Sequence, residues 1–304
     1  MDKQILRKFL RAGYMEKRRL YFTELGTEQG SIISPTLALM ALSGIEGRIR
    51  DHRKRTRDKE KINFISYADD FIITGESTEL LEEKVIPIVI ESLKEVGLEL
   101  SQEKSKITHI DNGFDFLGFN VRKYRGTLLI KPSKENIKKF LTEIRNTIKA
   151  NYSAKTKNLI NLLNPKIRGW ANYYRSSVSS KAFSDVDDKI YKTLKSWMLR
   201  RHPNKSKSWI NRKYFIRRGL SNWNFHAMVR DEKGNNTPLY LYRAGETAIK
   251  RHIKIKSDAH PYDPKFKDYF KHRENTSKTR IVNSNSRSEL SIRLLGDNVA
   301  LLRA

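Results

Sequence analysis

The stretch Lys61-Ile-Asn-Phe-Ile-Ser-Tyr-Ala-Asp-Asp-Phe-Ile-Ile-Thr-Gly75 constrains the fold of this chain more than any other. Ile62, Phe64 and Ser66 alternate with Asn63, Ile65 and Tyr67, and Phe71-Ile72-Ile73-Thr74 is aromatic and β-branched before Gly75 breaks it. The pattern predicts a β-hairpin with carboxylates at its bend, Tyr67-Ala68-Asp69-Asp70. Adjacent strand residues point to opposite faces, so Asp69 and Asp70 do not both grip one ion. A hard cation such as Mg²⁺ is held by one or two carboxylates plus substrate phosphates, and Asp69 is the preferred ligand. Asp is also a common turn residue, so an exposed turn is the other reading of the same four residues.

Charge narrows the partners. The chain has 304 residues, Lys+Arg 61 against Asp+Glu 34, and a net charge of +27, which implies a polyanion. The basic residues recur through several segments rather than in one tail, which favours a nucleic acid over a membrane surface. The longest apolar run, Val85-Ile86-Pro87-Ile88-Val89-Ile90, is far shorter than a membrane span. Met1-Asp2-Lys3-Gln4-Ile5 leads into Arg- and Lys-rich sequence without a hydrophobic signal region, so the expected location is cytoplasmic. A chain without Cys has no disulfide and no thiolate metal site, and the His residues show no ligand-like spacing.

Taken in order, the chain divides into a mixed and a helical part. Residues 1–20 are amphipathic and basic, with Ile5, Phe9 and Leu10 at helical spacing. Gly26 and Gly30 lie in a loop that either approaches a ligand closely or merely bends, and Ser34-Pro35 starts a helix with Leu37, Ala41, Leu42 and Ile45 on one face. Residues 51–61 are a charge run expected to be solvated. Thr78–Val96 reads as a helix kinked at Pro87 and stopped at Gly97, Leu98–Ile110 as a strand, and Gly113-Phe-Asp-Phe-Leu-Gly-Phe119 as aromatics around two glycines. Strands and helices on one sheet predict an α+β layer.

After Lys131-Pro132-Ser133 helices dominate. Ile137, Phe140, Leu141, Ile144 and Ile148 form a stripe behind the Ser133 cap. Asn164-Pro165 is expected to open a second helix, with Ile167, Trp170, Ala171 and Tyr174 on one face and Arg168, Asn172 and Arg175 on the other. A third is expected from Ser184, with Val186, Ile190, Leu194, Trp197 and Met198 inward. Trp170 and Trp197 read either as core or as base-stacking platforms, and the basic faces as RNA contacts. His202–Arg218 interleaves cations with aromatics, which suits phosphate contact with stacking or a solvated loop.

Three blocks standing in order carry a resemblance. Gly26-Thr-Glu-Gln-Gly-Ser-Ile-Ile-Ser-Pro35, Tyr67-Ala-Asp-Asp70 and Gly113-Phe-Asp-Phe-Leu-Gly118 resemble successive motifs of the reverse transcriptase/maturases encoded by group II introns, and Gly169-Trp-Ala-Asn-Tyr-Tyr-Arg175 resembles the hallmark of their helical maturase (thumb, X) domain. The resemblance implies a partial reverse-transcriptase palm over 1–128, a maturase domain over 129–225, a basic connector over 226–273 and a flexible tail over 274–304.

By residue, the resemblance implies that Asp69 is the metal-binding catalytic carboxylate with Asp70 beside it. Gln29, Gly30 and Tyr67 would line template and nucleotide, and Leu117 and Gly118 would lie near the primer end. Arg168, Trp170, Tyr173, Tyr174 and Arg175 would grip intron RNA. The implied reaction joins a primer 3′ oxygen to a dNTP between two Mg²⁺ ions, with RNA as template and DNA as primer or target.

The sequence departs from the family in three places. The strand that carries the partner Asp before the first block has no counterpart, and Asp2, Asp51 and Asp58 are not in strand contexts. Glu28 stands where the family has Pro. Pro261-Tyr-Asp-Pro-Lys-Phe266 resembles the approach to an HNH endonuclease, but the Cys pairs that would follow are missing. The leading expectation is therefore a maturase fragment that binds intron RNA to assist splicing. The alternatives are half of a split RNA-directed DNA polymerase completed by a separately encoded N-terminal half, or a remnant without function.

Overall fold

The computed structural model describes residues 2–11, 13–21, 34–55, 61–250, 255–256, 259–279 and 297–303. The chain forms two units, Met1–Asn112 together with Ile292–Ala304, and Gly113–Ser291. This contact division falls ahead of the expected boundary at 128/129, because the Gly113–Phe119 block packs with the helices that follow it.

The first unit opens with α1 (Lys3–Arg11) and the small hairpin β1 (Tyr14–Glu16) and β2 (Arg19–Tyr21), followed by α2 (Ser34–Arg55). The predicted hairpin forms as β3 (Asn63–Tyr67) and β4 (Asp70–Gly75), with Tyr67 paired to Asp70 and Ile65 to Ile72. Phe71 and Ile73 bury one face against Leu42, Ile45 and Ile49 of α2, while Ala41 of the expected stripe is exposed. Over Leu80–Val85 the backbone is wound as a π-helix, the amide of Ile86 donating to the carbonyl of Leu81, before α3 (Ile86–Glu95) begins with Pro87 in its first turn. The expected kink is therefore a widened turn, which absorbs the bond that Pro87, lacking an N–H, cannot make. Of the strand expected over 98–110, only β5 (Lys106–His109) pairs.

The second unit begins with a meander, β6 (Phe114–Phe116), β7 (Phe119–Tyr124) and β8 (Thr127–Pro132). Its turns, Leu117-Gly118 and Arg125-Gly126, have positive φ at both positions, as two-residue hairpins require. Ser133 caps α4 (Lys134–Ala150), its Oγ accepting from the amide of Asn136. Phe140, Ile144 and Ile148 then bury as expected.

The next helix, α5 (Thr156–Tyr174), holds Pro165 in its interior rather than at its start. Leu159, Ile160 and Leu163 before it and Ile167 and Ala171 after it are all buried, and burial worth about 1.5–3 kcal/mol per large side chain outweighs an interior proline's cost of about 3 kcal/mol. Asn164 also pins the turn, donating to the carbonyl of Tyr240 and accepting from the amide of Tyr242. α6 (Ser180–Arg201) starts a turn earlier than Ser184. The 202–218 segment is not a loop but α7 (Lys207–Tyr214) and β9 (Phe215–Arg218).

Residues 226–250 are not a connector either. β10 (Ser221–Arg230) and β11 (Asn236–Tyr240) complete a three-stranded sheet with β9, and Phe225, Leu241 and Ala244 join the helical core. Asp187 of α6 fastens them by accepting from the amides of Ala244 and Gly245 at 2.7 and 2.9 Å. α8 (Lys267–Thr279) extends past the expected start of the tail.

The tail itself holds the largest departure. Residues 298–303 form β12 (Asn298–Arg303), which lies between β4 and β5 in the sheet of the first unit and is antiparallel to both. Leu290, Ile292, Leu294 and Leu295, expected as a short element, lie outside the described residues. Val299 and Ala300 are fully buried, and Ala300 and Leu302 join the cluster of Phe71 and Ile73. Three contacts anchor the strand's start: the amide of Ile110 donates to the carbonyl of Asp297, Asn298 Nδ2 donates to the carbonyl of Glu76, and Thr78 Oγ1 donates to Asn298 Oδ1.

Candidate functional site

In the first unit, a two-residue turn of Ala68 and Asp69 presents the carboxylates, Ala68 having φ 53°. Asp69 lies in the turn and Asp70 opens β4, both half-buried, with Tyr67 exposed beside them. Asp70 follows the alternation of Ile72 and Thr74, on the sheet face opposite Phe71 and Ile73. The register pairs Asp70 with position 303, an arginine. Among the described residues no group of three or more His, Cys, Asp or Glu is gathered to hold a metal ion. Asp69 and Asp70 by themselves are too few to make up a two-cation centre. Gln29 and Gly30 lie outside the described residues.

In the second unit, the structure brings together residues that the sequence offered separately. The Leu117-Gly118 turn rests on the end of α5: Tyr173 Oη donates to the Leu117 carbonyl at 2.7 Å and Tyr174 Oη to the Gly118 carbonyl at 3.1 Å. Gly118 has φ +80°, and a Cβ there would stand 2.8 Å from the Tyr174 hydroxyl. Burial, and secondarily the neighbouring Tyr173, push the Tyr174 hydroxyl up to about 12. Trp170 stacks on Phe140 at 4.8 Å and meets Phe183 edge-on.

Tyr174, only 3% exposed, is thus a packing residue with no face open to a base, which corrects its expected role as an RNA contact. Trp170 serves the same aromatic cluster, whereas Tyr173 is exposed. Trp197 is core as well, its Nε1 donating to the Asn151 carbonyl.

Arg168 is exposed over the Tyr242 ring at 4.9 Å. Arg175 is half-buried and donates to Asn172 Oδ1. The larger basic feature was not singled out from sequence. A groove of about 670 Å³ is lined by Arg145, Lys149 and Tyr152 and, from α6, Lys189, Lys192 and Arg200, with Ile148 and Trp197 at its floor. Lys192 pairs with Asp188, but among the described residues Arg145, Lys149, Lys189 and Arg200 pair with no carboxylate. The signal in the sequence was cations three and four residues apart beside each apolar stripe.

A second basic cluster surrounds α7, where Lys205 and Lys213 lie over the Trp209 ring. Burial first, then Lys213, Arg201 and Lys205, hold the His202 imidazole below its ordinary value, a local sign of positive potential.

A hairpin bearing paired acidic residues in an α/β unit, together with a helical unit carrying a basic groove, is an arrangement suited to nucleic acid. Residues 1–121 match the family described as "Reverse transcriptase (RNA-dependent DNA polymerase)", and residues 137–215 match "Group II intron, maturase-specific domain". The chain is thus homologous to group II intron-encoded reverse transcriptase/maturases, at modest identity.

Among its relatives, the group II intron-encoded protein LtrA of Lactococcus lactis subsp. cremoris is 25% identical, the match covering 56% of this chain and 43% of LtrA. An uncharacterized 91 kDa protein in a cob intron of Schizosaccharomyces pombe is 23% identical, over 63% of this chain and 33% of its own. The putative COX1/OXI3 intron 2 protein of Saccharomyces cerevisiae is 27% identical, over 39% and 20%. The chain spans less than half the length of each. Among the described residues no helix is long and apolar enough to cross a membrane.

Proposed function

We propose that the chain binds group II intron RNA through its second unit and assists splicing of that RNA. The observation that carries this reading is the groove between α4 and α6, where four cations without carboxylate partners among the described residues flank an apolar floor. Such a surface gains affinity by releasing counterions from phosphates, and structured RNA presents phosphates in a fixed spacing that a rigid groove can match. Arg168 and Arg175 extend the contact, with exposed Tyr173 beside them, while Trp170 and Tyr174 hold α4, α5 and the Leu117-Gly118 turn in place.

The net charge gives some affinity for any RNA, so preference is the informative quantity. At physiological salt the chain is expected to bind a structured group II intron RNA more tightly than an unrelated RNA of equal length. Replacing Arg145, Lys149 and Lys189 with Ala lowers that preference and flattens the salt dependence by roughly 0.7–0.9 log unit per lost phosphate contact. Arg168→Ala with Arg175→Ala lowers the preference further, and Asp69→Ala leaves it unchanged. Equal affinity for both RNAs, unaffected by the arginine and lysine changes, would refute the reading.

The second reading, RNA-directed DNA polymerase chemistry with Mg²⁺, a DNA primer and a dNTP, is favoured by the Asp69-Asp70 hairpin, with Asp69 as the ligand. It requires a further carboxylate, supplied by a separately encoded N-terminal half. The purified chain is expected to show no primer-dependent dNTP incorporation on an RNA template. Robust extension that disappears in Asp69→Ala would overturn that expectation.

A further inference from the structure

Tyr152 and Trp197 are the aromatic residues lining the groove between α4 and α6, and they differ in what they leave open. Tyr152, in the turn after α4, is 48% exposed. Its hydroxyl donates to the carbonyl of Arg200 in the last turn of α6 at 3.0 Å, and its own carbonyl accepts from Arg201 Nη1 at 3.1 Å. Ring tip and backbone are thus both tied to α6, so little ordering remains to be done when a flat partner arrives. Trp197 cannot take that part. It is 3% exposed, its Nε1 donates to the Asn151 carbonyl, and the Arg201 guanidinium covers its ring at 4.6 Å.

Arg145 and Lys149 of α4 and Lys189 and Arg200 of α6 line the same groove. Cations beside an aromatic platform suit a nucleotide, the phosphate meeting the charge and the base meeting the ring. In a duplex the interior bases are stacked on one another, so such a ring finds a partner only where a base is unstacked. The hydroxyls in the groove wall, Thr193 and Ser196, donate to the carbonyls of Lys189 and Lys192 on their own helix. Their protons are spent, which leaves stacking rather than hydrogen-bond readout to hold the base. We propose, resting on the reading of this groove as the RNA surface, that it takes an unpaired stretch of RNA. A base of any identity stacks on Tyr152, and the flanking phosphates meet Arg145, Lys149, Lys189 and Arg200.

The full chain tests this at physiological salt with a short unstructured RNA strand, 2-aminopurine replacing each interior base in turn, against the same strand annealed to its complement. Binding of the single strand is expected to quench the 2-aminopurine. Tyr152→Leu removes the aromatic face, abolishes that quenching and weakens the single strand roughly fivefold to a hundredfold, the range for one lost base stack, while duplex binding is unchanged. Tyr152→Phe keeps the ring and gives up the bond to Arg200, and it should retain the quenching and most of the affinity. A residue that merely stapled α4 to α6 would make Phe and Leu equally harmful. Hydrogen exchange of α4 and α6 shows whether the helices still pack in each variant. Should Leu loosen them, the Tyr152 ring protons of the unaltered chain, assigned with Tyr152→Phe, are read by NMR instead. They should move upfield on saturation with the single strand and not with the duplex.

Three results would overturn the proposal. One is a bound single strand whose quenching does not depend on Tyr152. Another is equal weakening of strand and duplex by Tyr152→Leu while α4 and α6 stay protected. The third is ring protons that do not move. The maturase reading is judged separately, by preference for intron RNA and its loss when Arg145, Lys149 and Lys189 become Ala. Intron preference together with any of those three results sinks the stacking site alone, whereas stacking on Tyr152 without intron preference sinks the maturase reading alone.

Discussion

The two units bury comparable kinds of side chains by opposite routes. In the second, α4, α5 and α6 follow one another with short connections, and the sheet of β9 to β11 adds to the same cluster in chain order. In the first, the interior strand β12 comes from residues 298–303 and pairs with β4 and β5, which end at Gly75 and His109. Local contacts close small loops and form early, whereas a strand from so far along the chain forms its pairs only after a costly closure. The helical unit is therefore self-sufficient, while the catalytic-type hairpin depends on a remote segment.

The largest expected effect sharpens this contrast. Phe183→Ala removes a side chain that is 1% exposed and packs on Trp170, and should cost about 3–5 kcal/mol in the second unit. Urea unfolding with hydrogen exchange resolved by segment should show the loss in α4 to α6 and leave β3 and β4 as protected as before. Loss of protection in both units would break the contrast.

Ala300→Pro should act conversely. It deletes a ladder donor at the centre of a buried strand and costs about 2–3 kcal/mol. Amides of β4 and β5 should then exchange faster while α5 is unaffected.

Gly118→Ala asks how tightly the turn is held to α5. With φ +80° and the Tyr174 hydroxyl 2.8 Å from the added Cβ, about 1–2 kcal/mol should be lost, as a lower midpoint of the second unit. Tyr174→Phe should relieve part of the added loss.

The smallest effect is a titration. His202 is held below its ordinary value, so its neutral form is favoured in the folded state. Stability from this group is present above the ordinary histidine value and is lost as the pH falls from there through the folded value. Bound RNA phosphate near Lys205 and Lys213 should raise the His202 pKa, observable by NMR. No change on saturation with intron RNA would exclude this cluster from the interface.

Much of the second unit was legible because its signals are local. The Ser133 cap, the Phe140-Ile144-Ile148 stripe and the inward face of Ile167, Ala171 and Tyr174 depend on spacing along one helix, and each was realised. Pro165 misled because its local cost suggested a helix start, while burial on both sides of it carried the helix through. The basic groove was hidden for a related reason. Arg145 and Lys149 lie on one helix and Lys189, Lys192 and Arg200 on another, and only the contact of α4 with α6 makes them one surface.

By itself, the sequence determined the Tyr67-Ala68-Asp69-Asp70 hairpin, the strong positive charge and the helical stripes, because alternation, net charge and helical periodicity act within a few residues or over the whole composition. Only the tertiary structure decided that residues 298–303 complete the first unit's sheet, that position 303 lies opposite position 70 in its register, and that Tyr174 packs inside. Those outcomes depend on which distant apolar segment fits an open pair of strand edges and which ring fits a particular turn. No pattern internal to six residues specifies its partner across such a distance.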